Sequence, residues 1–288
     1  MIQTWLQPLP HGITLSCRAA GERGRPVLLF LHGFPEAAFV WDELLLHFAR
    51  PENGGYRCVA PNLRGYEQSS QPADVAAYRA KHLVQDLVAL IDIEGAPLDC
   101  LVAHDWGGAV AWNLANQRPE LARKLAIINS PHPGTFLREL QSNPRQQQAS
   151  AYMNFLVRPD AEALLREDGY RRLLGFFGNP PWLTEELKRR YIEVWDASLT
   201  GGCNYYRASP VRPGSADTVN LPREMLTVDI PTLVLWAMED IALPPELIEG
   251  LDDYVSQLTL EKVPGATHWI VHERPAFVAE RLAAFLAR

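Results

Sequence analysis

The stretch Leu101-Val102-Ala103-His104-Asp105-Trp106-Gly107-Gly108-Ala109-Val110-Ala111-Trp112 leaves its backbone few choices. It opens as a short apolar strand and closes as a helix, and the reversal between them is a tight turn with small residues on both sides. A strand that passes straight into a helix exposes one side chain at the bend, here Asp105. The same alternation recurs along the chain. A continuous apolar run predicts a buried central strand at Val27–Leu31, and further strands are expected at Arg57–Ala60, Leu98–Ala103, Leu125–Asn129, Thr232–Ala237 and Leu258–Val263. Helical patterns fall at Trp41–Ala49, His82–Ile93, Gly107–Gln117 and Pro275–Leu286. Strands that alternate with helices predict an α/β fold with a mostly parallel central sheet covered on both faces. Before it, Thr4–Leu9 and Ile13–Ala19 flank Pro10-His11-Gly12 and predict a β-hairpin.

The alternation stops after Asn129 and resumes at Ile230. In between the chain reads as helices and loops, with Pro131, Pro133, Pro210, Pro213 and Pro222 at its two ends. The simplest division is a core of residues 1–130 and 225–288, interrupted by a helical lid over 131–224. A long insertion in a compact domain is usually functional. The net charge of −7 argues against nucleic acid and anionic membrane surfaces as partners. No apolar run is long enough to span a membrane, and the N-terminus lacks the pattern of a signal peptide, so the expected address is cytoplasmic. Cys17, Cys58, Cys100 and Cys203 are far apart, match no metal spacing, and read as buried thiols.

Most turns of this architecture carry serine at the exposed position. Serine attacking a saturated carbon would give an ether, which water and a base cannot reopen. A carboxylate attacking the same carbon gives an ester of its own side chain, which can be hydrolysed. Aspartate at position 105 therefore points to an electrophile such as an epoxide or an alkyl halide. A water-activating base is needed next. His268 lies in a loop between the last strand and the last helix, after the nucleophile in chain order. Asp240 follows a predicted strand and would orient that histidine, with Glu239 the competing assignment. The amides of Phe34 and Trp106 are expected to form an oxyanion hole. His32 is expected to hold its turn, and Arg64-Gly65-Tyr66 reads as a surface turn without a catalytic role. Whether Pro35 is cis is not decided by sequence.

Together, His32-Gly33-Phe34-Pro35-Glu36, Arg64-Gly65-Tyr66, His104-Asp105-Trp106-Gly107-Gly108 and Gly265-Ala266-Thr267-His268-Trp269 resemble the soluble epoxide hydrolases, a branch of the α/β-hydrolase superfamily. The resemblance implies an α/β-hydrolase fold and a cofactor-independent, metal-free hydrolysis of epoxides to vicinal diols. It also implies two lid tyrosines that donate to the epoxide oxygen. Tyr152, ahead of an aromatic stretch and Pro159, matches one, and Tyr206 in Asn204-Tyr205-Tyr206-Arg207 matches the other, with Tyr205 as the fallback. Haloalkane and haloacetate dehalogenases share the aspartate and the His-Gly-Phe-Pro turn, and they are the alternative. The expected partners are a small apolar epoxide and water, with a homodimer left open. Phe155, Phe176, Phe177, Trp182 and Trp195 are candidates both for the pocket wall and for the lid core.

Overall fold

The N-terminal hairpin forms as expected, from strands β1 (Gln3–Pro8) and β2 (Thr14–Ala20), in a computed structural model that describes all of residues 1–288. Six strands follow: β3 (Val27–Leu31), β4 (Arg57–Pro61), β5 (Cys100–His104), β6 (Leu125–Ile128), β7 (Thr232–Ala237) and β8 (Leu258–Val263). All eight join one sheet in the order β1-β2-β4-β3-β5-β6-β7-β8, parallel from β4 onwards. Every residue of β3, β4, β5, β6 and β7 is buried, which is why these strands are mostly apolar and do not alternate with polar residues. The third parallel strand begins at Cys100 rather than Leu98. Leu98 is held by a lone bridge to Ala122, just after the cis Ala96–Pro97 bond.

Helices cover both faces of the sheet. α1 (Asp42–Phe48) is followed by α2 (Ala80–Glu94) and α3 (Asp105–Gln117). The segment between β6 and β7 contributes α4 (Pro133–Ser142), α5 (Pro144–Ala149), α6 (Tyr152–Leu156), α7 (Ala161–Phe177) and α8 (Glu185–Ala208). α9 (Ile270–Glu273) and α10 (Pro275–Leu286) close the chain. α2 packs with α3, and α1 packs with α10. No helix is long and apolar enough to cross a membrane. The four cysteines are all buried and free.

The order of strands reverses at β3, whose neighbours β4 and β5 lie on opposite sides. Open α/β sheets bind ligands at the carboxyl ends of the strands beside such a reversal. β3 and β5 pair in register, with Leu31 opposite Ala103. The loops that leave these two strands therefore emerge side by side.

α8 docks on the loops after β3 and β4 through hydrogen bonds along its length. Tyr191 Oη donates to Glu36 at 2.9 Å, Trp195 Nε1 to the Pro35 carbonyl at 2.7 Å, and Tyr205 Oη to the Arg64 carbonyl at 2.8 Å. The Glu67 amide donates to Ser198 Oγ at 2.9 Å, and Ser198 is also where α8 departs from helical geometry. The Arg64-Gly65-Tyr66 turn is thus not at the surface. Arg64 and Tyr66 are buried, and Arg64 forms a two-pronged ion pair with buried Asp86 at 2.6 and 2.8 Å. The turn is polar in sequence but covered by α8, which no local pattern reveals.

Gly65 and Gly201 form the closest of these contacts. A Cβ on Gly201 would lie 1.9 Å from the Gly65 carbonyl oxygen, a distance that requires the backbone itself to move. Gly201→Ala is expected to destabilise the protein by about 1–3 kcal/mol, the usual cost of overpacking. Gly175 has open space where its Cβ would be, so Gly175→Ala in α7 is the neutral or stabilising control. Thermal or urea unfolding of both variants checks this, and equal stability would remove the contact from the account.

Candidate active site

Asp105 is the first residue of α3 and has φ +49°, in the left-handed region that a side chain rarely enters. Such a conformation costs on the order of 1–2 kcal/mol. The neighbours make room for it. A Cβ on Gly33 would lie 2.1 Å from Asp105 Oδ1, one on Gly107 would lie 2.6 Å from the Leu31 carbonyl oxygen, and one on Gly108 would strike Ser130. Ser130 Oγ donates to the Asp105 carbonyl at 2.7 Å and pins the bend from β6.

The Phe34 amide, emerging beside Asp105 from the loop after β3, donates to Asp105 Oδ1 at 2.7 Å. No other donor reaches that carboxylate, so the Trp106 amide, expected beside it, makes no hydrogen bond to the Asp105 side chain. Oδ2 lies 3.7 Å from His268 Nε2, too far for a direct hydrogen bond. His268 Nδ1 is 2.6 Å from Asp240 Oδ2. Asp240 is buried, with Oδ1 accepting from the amides of Ala242 and Leu243 at 2.9 Å each and Oδ2 from Asn129 Nδ2 at 2.8 Å. Asp240, not Glu239, is the acid that the loop after β7 turns toward His268.

These contacts set the charge of the site. Burial works to lower the pKa of His268, but Asp240, then Asp105 and Glu36, overcome it and lift the value to about 9. Burial works to raise Asp240, and His268, Asn129 and the Leu243 amide reverse that and lower it. The resting site is therefore an imidazolium between carboxylates.

Two positioning residues carry no distinctive sequence signal. Asn129 has φ +40° and spans two elements, accepting from the Ala237 amide at 2.9 Å while donating to Asp240. Its one visible cue is a polar side chain closing an apolar strand. Glu36 is fully buried beneath the site, bonded to Tyr191 Oη and 2.7 Å from His272 Nε2. Burial would raise its pKa, yet the imidazoles of His104, with Nδ1 at 3.3 Å, and His272 hold its carboxyl well below the usual range. His104 Nε2 reaches the His268 carbonyl at 2.9 Å, which ties this cluster to the catalytic loop. His32 holds its turn as expected, its Nε2 accepting from the Leu63 amide at 3.1 Å and its Nδ1 donating to the Gly33 carbonyl at 3.0 Å. Burial lowers its pKa to about 4. The Phe34–Pro35 bond is cis.

A cavity of about 830 Å³ opens above Asp105. Trp106, Tyr152, Tyr205 and Tyr206 line it. The Tyr206 ring packs edge-on against Trp106 at 5.1 Å and Phe34 at 5.3 Å, and Tyr152 lies 6.0 Å from Tyr206 between ring centres. Tyr205 commits its hydroxyl to the Arg64 carbonyl, whereas the Tyr152 and Tyr206 hydroxyls interact with each other, and that of Tyr206 also with the Trp106 indole. Burial raises the pKa of both phenols; the Asp105 charge also raises both, and for Tyr152 the Tyr206 hydroxyl works the other way. Phe155, Phe176, Phe177, Trp182 and Trp195 do not line the cavity. Phe177 stacks with Tyr191 and Trp195 in the interior of the helical segment, and Trp182 lies flat on His272 at 4.4 Å. Apolar wall comes instead from residues such as Phe136, Met153, Val219 and Leu221.

The sequence and the fold match known proteins over nearly the whole chain. The family model described as the alpha/beta hydrolase fold matches residues 26–275. The AB hydrolase superfamily protein YfhM of Bacillus subtilis is 36% identical over 282 residues, covering 96% of this chain and 95% of its own length. Epoxide hydrolase 4 of Mus musculus is 32% identical over 287 residues, covering 96% of this chain and 77% of its own. Among solved structures, the epoxide hydrolase of Bacillus megaterium in complex with an inhibitor superposes with a TM-score of 0.91 at 28% identity, covering 99% of this chain and 100% of that one. A family model, a fold and a sequence that agree over such lengths leave one assignment, and the chain belongs to the epoxide hydrolase family of the α/β-hydrolase superfamily.

Proposed function

We propose that this protein converts epoxides to vicinal diols through a covalent ester on Asp105. The observation that carries the reading is the pair of neighbouring phenols, Tyr152 and Tyr206, which share one cavity with a carboxylate whose Oδ2 has no hydrogen-bond donor. An epoxide leaves as an alkoxide and needs a proton, which phenols supply. A halide would need only N–H donors, so the phenols favour the epoxide over the dehalogenase alternative.

Oδ1 is fixed by the Phe34 amide and becomes the carbonyl oxygen of the ester, while Oδ2 attacks the ring carbon from behind. Tyr152 and Tyr206 hold the ring oxygen, and one transfers its proton as the C–O bond breaks. Ester formation removes the negative charge that helped to hold the proton on His268. The pKa of His268 falls, its proton is released, and the phenolate is reprotonated. Neutral His268, oriented by Asp240, then takes a proton from the water that attacks the ester carbonyl. The Phe34 amide, which already donates to Oδ1, stabilises the oxyanion there, and the Trp106 amide, which makes no bond to the resting carboxylate, would join it only as the carboxyl carbon becomes tetrahedral. Collapse releases the diol and returns Asp105 as carboxylate beside protonated His268. No cofactor or metal enters this scheme. Helices α4 to α8, residues 131–224, act as the lid that brings both phenols over a core of residues 1–130 and 225–288.

His268→Gln is expected to form the ester and stall there, giving one burst of substrate loss and an adduct of one epoxide mass on the peptide holding Asp105. Intact-protein and peptide mass spectrometry with a styrene-type epoxide reads this, and an unmodified Asp105 would count against covalent catalysis.

Tyr152→Phe combined with Tyr206→Phe is expected to slow ring opening at least ~100-fold, the lower end for general acid catalysis. Full activity in the double variant would end the assignment of the phenols.

The charge coupling predicts two different pH profiles. In the free enzyme His268 loses its proton near pH 9, so kcat/KM should bend there. In the ester the Asp105 charge is gone, so the hydrolysis rate should rise through an inflection at lower pH. Stopped-flow tryptophan fluorescence separates the two steps, and a shared inflection would refute the coupling.

A further inference from the structure

Gln146 is 1% exposed, while the rest of the short helix α5 is exposed or half-buried. A long polar side chain is seldom buried so deeply unless its hydrogen bonds are met. Both hydrogens of this amide are used. Nε2 donates to Ser150 Oγ at 2.8 Å and to the Ala242 carbonyl at 3.1 Å, and Oε1 has no partner. The side chain therefore holds its two neighbours by donation alone.

Each acceptor leads directly to a group of the proposed reaction. Ser150 forms the turn that starts α6, where its carbonyl accepts from the Met153 amide at 3.0 Å, and Tyr152 is the first residue of that helix. α6 has five residues, too few to hold a helical shape unaided, so the place of Tyr152 depends on what anchors its start. Ala242 lies in the turn after β7. Its carbonyl and the Leu243 amide are two ends of one planar peptide group. That Leu243 amide donates to Asp240 Oδ1 at 2.9 Å. Fixing the oxygen of the peptide thus fixes the direction of the N–H aimed at Asp240, which in turn orients His268. Arg145 and Arg138 also join these segments, at Glu246 Oε1 (2.5 Å) and the Glu246 carbonyl (3.3 Å). Their side chains are 62% and 40% exposed, where solvent weakens such ties. Gln146 is the buried link.

We propose that Gln146 is a positioning residue that ties the start of α6 to the Asp240 turn, so that the Tyr152 phenol and the Asp240–His268 pair are held in one fixed relation. The part assigned to Tyr152 and His268 rests on the function proposed above. A misplacement of about 1 Å far from the chemistry can slow a reaction ~100-fold, so one such link bears on both half-reactions.

Gln146→Met keeps the length of the side chain and removes both donors. With a styrene-type epoxide, stopped-flow should show alkylation of Asp105 and hydrolysis of the ester each slowed at least about tenfold, the equivalent of one lost hydrogen bond. Ser150→Ala releases only the α6 end. It should slow alkylation and leave ester hydrolysis at the wild-type rate. A third readout needs no substrate. Burial lowers the pKa of His268, and Asp240 first, then Asp105 and Glu36, lift it to about 9; the His104 ring also faces it, at 4.7 Å. A loosened Asp240 lifts it less, so in an NMR titration the imidazole of Gln146→Met should titrate lower than that of the wild type. In Ser150→Ala it should titrate as in the wild type. Wild-type rates in Gln146→Met, or a His268 that titrates unchanged or higher there, overturns the link. If the Gln146 variant does not fold, Ser150→Ala decides, and alkylation at the wild-type rate in it counts against the proposal. Absence of any ester on Asp105 in the wild type would remove the proposed function and leave the His268 titration to judge the link by itself.

Discussion

The left-handed backbone of Asp105 is the constraint on which the rest of the site depends. The strand ends, the chain reverses within one residue, and the carboxylate is left projecting beyond the carboxyl edge of the sheet. That conformation persists because its surroundings admit nothing else. Gly33, Gly107 and Gly108 are bare where a Cβ would collide, and Ser130 holds the bend by its carbonyl. The same closeness lets the Phe34 amide meet Oδ1, because β3 and β5 are adjacent and in register. Strain of about 1–3 kcal/mol at such a residue is maintained by the packing of everything around it.

Charge is the second organising term. A buried histidine unaided would be neutral, as His32 is, its pKa lowered to about 4 by burial. His268 is moved the opposite way, to about 9, by the carboxylates on either side and by Glu36. The contrast between two buried histidines of one loop cluster shows that neighbours, not burial, decide the protonation of this site. In the proposed reaction one of those carboxylates changes charge midway, so the base becomes available when an ester exists for water to attack.

The helical segment contributes by being fixed rather than by being apolar. α8 bonds to the Pro35, Glu36, Arg64 and Glu67 region at several points and touches Gly65 backbone to backbone at Gly201. Tyr206 lies five residues beyond that contact and takes its place against Phe34 and Trp106. Most of the segment's large aromatics are spent on its own interior and on the seam with His272 and Trp269. The cavity wall is left to residues less conspicuous in sequence.

The chain order of strands and helices, the exposed aspartate at the turn and the loop positions of Asp240 and His268 were legible because each depends on local periodicity and turn chemistry. So was the family, since its motifs are short and contiguous. Several features depended on tertiary structure alone. Asn129 beneath Asp240, Glu36 among His104, His272 and Tyr191, the burial of Arg64, and the choice of Tyr206 over Tyr205 each join groups far apart in sequence. Neighbouring tyrosines look alike to any local pattern, and only the carbonyl of Arg64, arriving from another part of the fold, distinguishes them. Local rules set which backbone forms and which residue it exposes. Which buried polar groups find partners, and so which remain free for chemistry, is decided when distant segments close on one another.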